Sequence, residues 1–370
     1  MHYSSRWRMP RTTSLLAHRR LSHTILVWLL VAGCASDVPA RASPTPTLAS
    51  GPSSPSSTAT GIVTTPGATP RPTPSRETPR PAAFTSSALR DALDIVRAQE
   101  HLVALQMLAD RHGDRAVNSA GFDAAVAYVI AQLRADGYEV RTEPFAFDGG
   151  TSVNVLVERE GFARDRVVML GAHLDSAVGS PGINDNASGV ATVLAIADAA
   201  ASLPPPGATL RFAFWGAEEP GRHGSAAYVD GLDPDERDAI AAYVNLDIIA
   251  SANFVRFVYD EPHAVPGSDL ITARFAAHFD DLGLAWEPID LTGKTDHAAF
   301  SDADIPTGGL FSGGTEPKTN AQASAFGGTP GIAADACIHR ACDSLASIDE
   351  GVLAQMADAA ALVIGDLASD

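Results

Sequence analysis

Past residue 85 the chain alternates short apolar runs with longer stretches of helical spacing. That alternation is the signature of an α/β fold with a mostly parallel sheet. Helical spacing runs over residues 86–111 and again over 121–136, where Val126, Val129, Ile130 and Leu133 share one face and Gly137 is a natural C′ stop. Strands are predicted over 139–146, 153–158 and 166–171. A helix over 186–202 opens at Asn186 or Ser188, a strand over 210–215 leads to a helix near 222–231, and 241–249 reads as a buried strand. Helices near 267–283 and 350–368 complete the pattern, with no internal repeat. The expectation is one domain over 86–370, with a central mixed, mostly parallel sheet flanked by helices.

Composition sets the earlier residues apart. Residues 34–85 are dominated by Pro, Ser, Thr, Ala and Gly, a tract that cannot bury enough apolar surface to offset its conformational entropy, so it reads as a disordered linker. Residues 1–33 read as an export signal. Arg6, Arg8, Arg11, Arg19 and Arg20 form a basic region, and the apolar run 25–31 is too short to span a bilayer. Ala32-Gly33-Cys34 resembles a bacterial lipobox, in which Cys34 is lipidated and anchors the chain to a membrane; a plain secretory peptide cleaved near Ala35 is the alternative. Three cysteines is an odd number: Cys337 and Cys342 suit a short disulfide in an exported protein, which leaves Cys34 for the lipobox. Nine arginines against Asp37 and Glu77 give residues 1–85 a charge of +7, so within a chain of −18 the remainder carries −25. That acidity argues against nucleic-acid binding.

The polar residues that interrupt the apolar runs gather where strands should end, which is where open α/β sheets bind ligands. The strand over 166–171 runs into His173, and Asp175 two residues later could accept from its second ring nitrogen, a common support for a metal-bound histidine. Asp185 sits in the polar turn Gly182-Ile183-Asn184-Asp185-Asn186. The run Arg211-Phe212-Ala213-Phe214-Trp215 ends in a Gly/Pro-rich turn with two adjacent acids, Glu218 and Glu219, which point in different directions and so can do different work. Asp247 is embedded in an apolar run, where a carboxylate is unfavourable unless paired or metal-bound. His339 lies between Cys337 and Cys342, held in a small loop. Two imidazoles with several carboxylates suit borderline-hard divalent ions, zinc above all.

These motifs, HLDS, GINDNASG, WGAEEPGRHGS, NLD, GKTDHAAFSDADIPTGGLFSG and CIHRACD, together with RAVNSAGFDAAVAYVIAQLRADGYEV, resemble those of the di-zinc aminopeptidases of metallopeptidase family 28, over roughly residues 100–365. The resemblance implies a zinc-exopeptidase-like α/β domain that binds two Zn²⁺. It implies that His173 and Asp247 hold one ion, that Glu219 and His339 hold the other, that Asp185 bridges them and that Glu218 is the general base. It also implies a cis peptide bond after Asp185, and a monomer that cuts N-terminal residues from peptides with a free N-terminus. Calcium is left open.

The chain departs from the family at two places. Some relatives carry a Tyr just before the last zinc histidine, where this chain has Ile338; others place one ahead of the SDH-like motif, where residues 291–297 contain none. Asp296 and His297 read as supporting or structural, His223 as a surface residue, and Asp343 either as a cap for the last helix or as a group that orients His339. Gly309, Leu310 and Phe311 are candidates to line the substrate pocket. Carboxypeptidase-like or glutaminyl-cyclase-like chemistry would use similar ligands, and a non-catalytic binding lipoprotein is a further alternative.

Overall fold

In the computed structural model, residues 83–369 are described. The first helical stretch is broken in two. α1 (Ser86–Ala92) ends before Asp94, whose carboxylate accepts the backbone N–H of Val96 at 2.9 Å and so starts α2 (Ile95–His112). The single helix expected over 86–111 overlooked that an Asp satisfying an orphan N–H is a start signal. α3 (Ala120–Ala135) is capped by Ser119 and closed by Gly137 at φ +90°, a conformation open to a residue without Cβ.

β1 (Arg141–Phe147) and β2 (Gly150–Arg159) form an antiparallel hairpin. β3 (Ala163–His173) is followed by α4 (Ser188–Ser202), β4 (Ala208–Trp215), α5 (His223–Asp230), α6 (Pro234–Ala239) and β5 (Ile240–Leu246). β6 (Phe257–Tyr259), α7 (Ser268–Asp281), β7 (Glu287–Ile289), α8 (His297–Asp302), β8 (Thr307–Phe311), α9 (Asn320–Phe326) and α10 (Glu350–Ser369) complete the chain. The eight strands make one sheet in the order β1-β2-β4-β3-β5-β8-β6-β7. β4, β3, β5 and β8 are mutually parallel, while β2 joins β4, and β6 joins β8, in antiparallel fashion. The sheet is mixed with a parallel centre, as the apolar pattern implied.

The strand order explains where a site can form. From β3 the chain crosses to β4 on one side and then returns to β5 on the other, so the crossovers part above β3 and open a crevice at the carboxyl ends of these strands. α4, built of Ala, Val, Leu, Ile and small polar residues, is buried on nearly every face, as expected of a helix apolar all round. Gly189 lets it approach the end of β5: a Cβ there would stand 2.5 Å from the Leu246 carbonyl oxygen. α10 is long and apolar enough to cross a bilayer, but 67% of its apolar window is buried, with Leu353, Met356 and Ile364 in the main core.

Candidate metal centre

The six residues singled out at strand ends and loops converge on one cavity of about 550 Å³. His173 is the last residue of β3, and its Nδ1 lies 3.1 Å from the backbone carbonyl of Asp175. A carbonyl can only accept, so Nδ1 carries a proton and Nε2 is the nitrogen that faces the cavity. Nε2 stands 3.2 Å from Asp185 Oδ1 and 3.4 Å from Asp247 Oδ1. On the other side, His339 Nε2 stands 3.0 Å from Asp185 Oδ2 and 3.2 Å from Glu219 Oε2. The result is two donor groups, His173–Asp185–Asp247 and Asp185–Glu219–His339, which share Asp185.

The donor set fits a pair of tetrahedral zinc ions. Bonds of 2.0–2.1 Å spread at the tetrahedral angle separate their ends by about 3.3–3.4 Å. The edges observed, 3.0 to 3.4 Å, are of that size. Two buried oxygens of the set, Asp247 Oδ1 and Glu219 Oε1, have no hydrogen-bond donor among the described residues. Burial works against charging Asp185, but His173 and His339 outweigh it and hold that carboxyl below its usual range, while the two glutamates lie above theirs. Burial, and then Asp185, push Glu219 up to about 8, and burial holds Glu218 well above the usual carboxylate range. Burial works against charging His173, but Asp247, Asp175 and Asp185 outweigh it and keep the imidazole pKa well above its usual value.

Local structure aims each ligand. Asp185 follows Gly182, which is left-handed at φ +65°, and its peptide bond to Asn186 is cis. The flanking asparagines pin the turn: Asn184 donates to Asp335 Oδ2 at 2.7 Å and accepts from Ala250 N at 2.9 Å. Asn186 donates to the Leu246 carbonyl at 2.8 Å and accepts from Gly189 N, in the first turn of α4, at 3.0 Å. Asp247 is the first residue beyond β5 rather than part of it, and Ile248 after it takes φ +55°, unusual for a β-branched residue. Turning there swings Asp247 out of the apolar run in which the sequence had placed it. Its Oδ2 accepts from Thr295 Oγ1 at 2.6 Å. Direction is forced along this buried chain: the Trp215 indole donates to Tyr243 (2.8 Å), Tyr243 to Asn245 (2.7 Å), Asn245 to Thr295 (3.1 Å) and Thr295 to Asp247. Oδ1 alone is left without a hydrogen-bond donor, beside His173 Nε2.

Asp175 acts differently from the expectation. Its carboxylate is 3.8 Å from His173 Nδ1 and instead accepts the backbone N–H groups of Glu218 at 3.0 Å and Glu219 at 3.1 Å. The turn after β3 swings the Asp175 carbonyl, not its side chain, onto the imidazole. Asp343 neither caps α10 nor hydrogen-bonds to His339; it accepts from Asn184 N at 2.7 Å and Asp185 N at 3.1 Å, while Asp349 caps α10 through Val352 N. His223 is half-buried and stacks on Phe147, with ring centroids 4.7 Å apart. Gly309 and Leu310 lie inside β8, with Leu310 in the core, so of that trio only Phe311 reaches the cavity. Asp296 and His297 are fully buried; His297 Nε2 pairs with Glu261 at 2.5 Å and burial raises Asp296 to about 7. Cys337 and Cys342 are disulfide-bonded, and His339 between them takes φ +58°.

Sequence reasoning passed over one supporting residue of note. Arg115 is fully buried behind the Asp185 turn and donates to the carbonyls of Pro181 and, at 3.0 Å, Gly182. The cavity itself has an acidic end at the ligands and an apolar wall of Ile248, Ile289, Leu291, Phe311 and Ile338. Among the described residues that line it there is no tyrosine, in keeping with Ile338 and the segment 291–297. Cys34 lies outside the described residues.

The sequence model of peptidase family M28 matches residues 154–364. Leupeptin-inactivating enzyme 1 of Streptomyces exfoliatus is 39% identical over 291 residues, 78% of this chain and 65% of that protein. An aminopeptidase of Pseudomonas aeruginosa is 43% identical over 216 residues, 57% of this chain and 40% of that one. Leucine aminopeptidase 2 of Trichophyton rubrum is 39% identical over 228 residues, 60% of this chain and 46% of that one. The chain thus spans between 40% and 65% of the length of these relatives. Among solved structures, the aminopeptidase from Aneurinibacillus sp. strain AM-1 aligns with a TM-score of 0.60 at 18% identity, over 76% of this chain and 95% of that one. A glutaminyl cyclase of Porphyromonas gingivalis aligns with a TM-score of 0.60 at 19% identity, over 74% and 98%. At such identities the likeness is one of fold, and the fold accommodates both kinds of protein.

Proposed function

The chain belongs to peptidase family M28, and on that footing we propose that it is an exported aminopeptidase that removes N-terminal residues from peptides, using two zinc ions and a glutamate base. The observation that carries the reading is the pair of ligand groups sharing Asp185, with Glu218 in the same cavity. The relatives' names, aminopeptidase and leucine aminopeptidase, support the same direction.

In this reading His173 and Asp247 hold one ion, Glu219 and His339 hold the other, and Asp185 reaches both. When bound, the ions supply an acidified water and a charge that polarises the scissile carbonyl. Glu218 takes the proton of the attacking water and returns it to the departing amine. A carboxyl whose pKa burial has raised suits a group that must hold a proton and then surrender it. The acidic end of the cavity receives the substrate's free ammonium, and the wall around Leu291 and Phe311 receives an apolar first side chain.

Metal analysis joined to a substrate panel tests the reading. Two zinc per chain and hydrolysis of leucyl substrates with a free amine are expected. Turnover of N-blocked peptides alone would move the protein to a carboxypeptidase-like reading, cyclisation of N-terminal glutamine to a cyclase, and absence of zinc to a binding role. The location is part of the proposal: Cys34 carries a lipid anchor and the monomeric domain works outside the cytoplasm. Cys34→Ala should then release the protein from membranes into the soluble fraction; unchanged partition would refute the anchor.

A further inference from the structure

The wall of the cavity holds an arginine that the proposed chemistry does not use. Arg222 lines it together with His173, Glu218 and Glu219. It is half-buried, and its guanidinium has no hydrogen bond or ion pair with any described residue. Among the described residues, every other arginine that is not exposed has an acceptor. In a domain so rich in acids, an unmatched guanidinium on a cavity wall stands out. The second cation of the lining, Lys294, is exposed and has the Asp290 carboxylate as an electrostatic neighbour.

Arg222 is also held in an unusual conformation. It is left-handed at φ +58°, in a region that a residue with a Cβ rarely occupies. The turn that imposes this is locked onto Glu218: the N–H groups of Gly221 and Arg222 both reach the Glu218 carbonyl at 2.7 Å, and His223 N reaches the Ala217 carbonyl at 2.9 Å. Gly224 presses the far side of the turn against Gly216, where an added Cβ would stand 2.3 Å from the Gly216 carbonyl oxygen. The Arg222 backbone is therefore held at a fixed offset from Glu218, and its side chain lines the same cavity.

We propose that Arg222 binds a carboxylate carried by the residue that the cut releases. The proposal rests on the aminopeptidase reading. With the ammonium at the acidic end and the scissile amide beside Glu218, the released residue points away from the ligands. A dipeptide ends there, about 3.5 Å of chain beyond the cut, and its terminal carboxylate offers the planar acceptor pair that a guanidinium fork matches. An Asp or Glu side chain at the same position carries the same group. The preferred substrates are then dipeptides with a free C-terminus, and after them peptides with an acidic second residue.

The test compares kcat/KM for Leu-Gly, Leu-Gly-amide, Leu-Asp-amide and leucine p-nitroanilide, the last carrying no carboxylate. Wild type should favour Leu-Gly over its amide by about 10- to 100-fold. A preference for Leu-Asp-amide over Leu-Gly-amide would extend the site to acidic side chains, and its absence would restrict it to the terminal carboxylate. In Arg222→Met the ratio of Leu-Gly to leucine p-nitroanilide should fall by the same factor, with Arg222→Lys intermediate. Equal rates for Leu-Gly and its amide in wild type, or an unchanged ratio in Arg222→Met, would overturn the proposal. Failure to cleave leucine p-nitroanilide at all would instead count against the aminopeptidase reading.

Discussion

The carboxylate of Asp175 accepts the backbone N–H of Glu218 at 3.0 Å and, through its other oxygen, that of Glu219 at 3.1 Å. One buried side chain after β3 thereby fixes the spacing of two acids after β4. In Asp175→Asn one of these acceptors becomes an amide that can only donate, so it faces a backbone N–H of like polarity. Supporting groups around metal ligands typically matter by 10- to 100-fold. The variant should lose about that much kcat/KM on leucyl substrates, mainly in kcat, because Glu218 is the displaced group. A variant with wild-type kcat would show that the turn holds without Asp175.

The adjacent acids should separate cleanly on substitution. Glu219 Oε2 lies 3.2 Å from His339 Nε2 within a ligand group, whereas Glu218 belongs to neither group. Glu218→Gln should keep both zinc ions and lose about 10²- to 10⁴-fold in kcat. Glu219→Gln should purify with less than its full zinc. Metal analysis of the two proteins decides the matter: equal zinc content in both would undo the division of roles.

The sequence exposed these candidate ligands because His173, Glu218, Glu219 and Asp247 are charged or imidazole groups in or just beyond apolar runs, while Asp185 and His339 stand in a polar turn and a short cysteine-bounded loop, contrasts visible without the fold. It did not expose what holds them. Arg115 meets the Gly182 carbonyl 67 residues away, and Asp343 meets Asn184 N across 159 residues. A bond to a backbone group leaves no residue type to look for at the far end. β6 and β7, at three residues each, are too short to show a period of two, and α6 is shorter than two turns. Asp175 was found for the right place and given the wrong partner, because sequence spacing does not show which way a turn faces its own carbonyl.

Arg115 offers a test of support that is separate from the ligands. Its charge lies buried near Asp343, Asp175, Asp185 and Glu219, and its fork spans two carbonyls of the Asp185 turn. Removing one member of a buried, hydrogen-bonded charge set typically costs about 3–5 kcal/mol. Arg115→Met should therefore lower Tm by roughly 5–15 °C, read by calorimetry at matched zinc. Arg115→Lys should recover little of that, since a single ammonium cannot bracket both carbonyls. Full recovery by Lys would reduce the role of Arg115 to its charge.

A pH-linked loss of stability should arise outside the candidate metal site, at His101. This residue is buried in α2, with Nδ1 2.7 Å from the Tyr128 hydroxyl. Burial, reinforced by the nearby Arg97 charge, pushes its pKa down to about 4. The ordinary imidazole value is 6.5, so between pH 6.5 and about 4 the unfolded chain takes up a proton that the folded chain refuses. Its contribution is whole above pH 6.5 and drains away as pH falls through that window, by on the order of 3 kcal/mol in all. His101→Gln removes the titrating group while keeping a polar side chain for Tyr128. Urea unfolding of both proteins at pH 7.5 and pH 4.5 should show the variant losing less stability across the interval, whatever its starting value. Equal losses would mean that His101 is protonated in the folded protein as readily as in the unfolded chain.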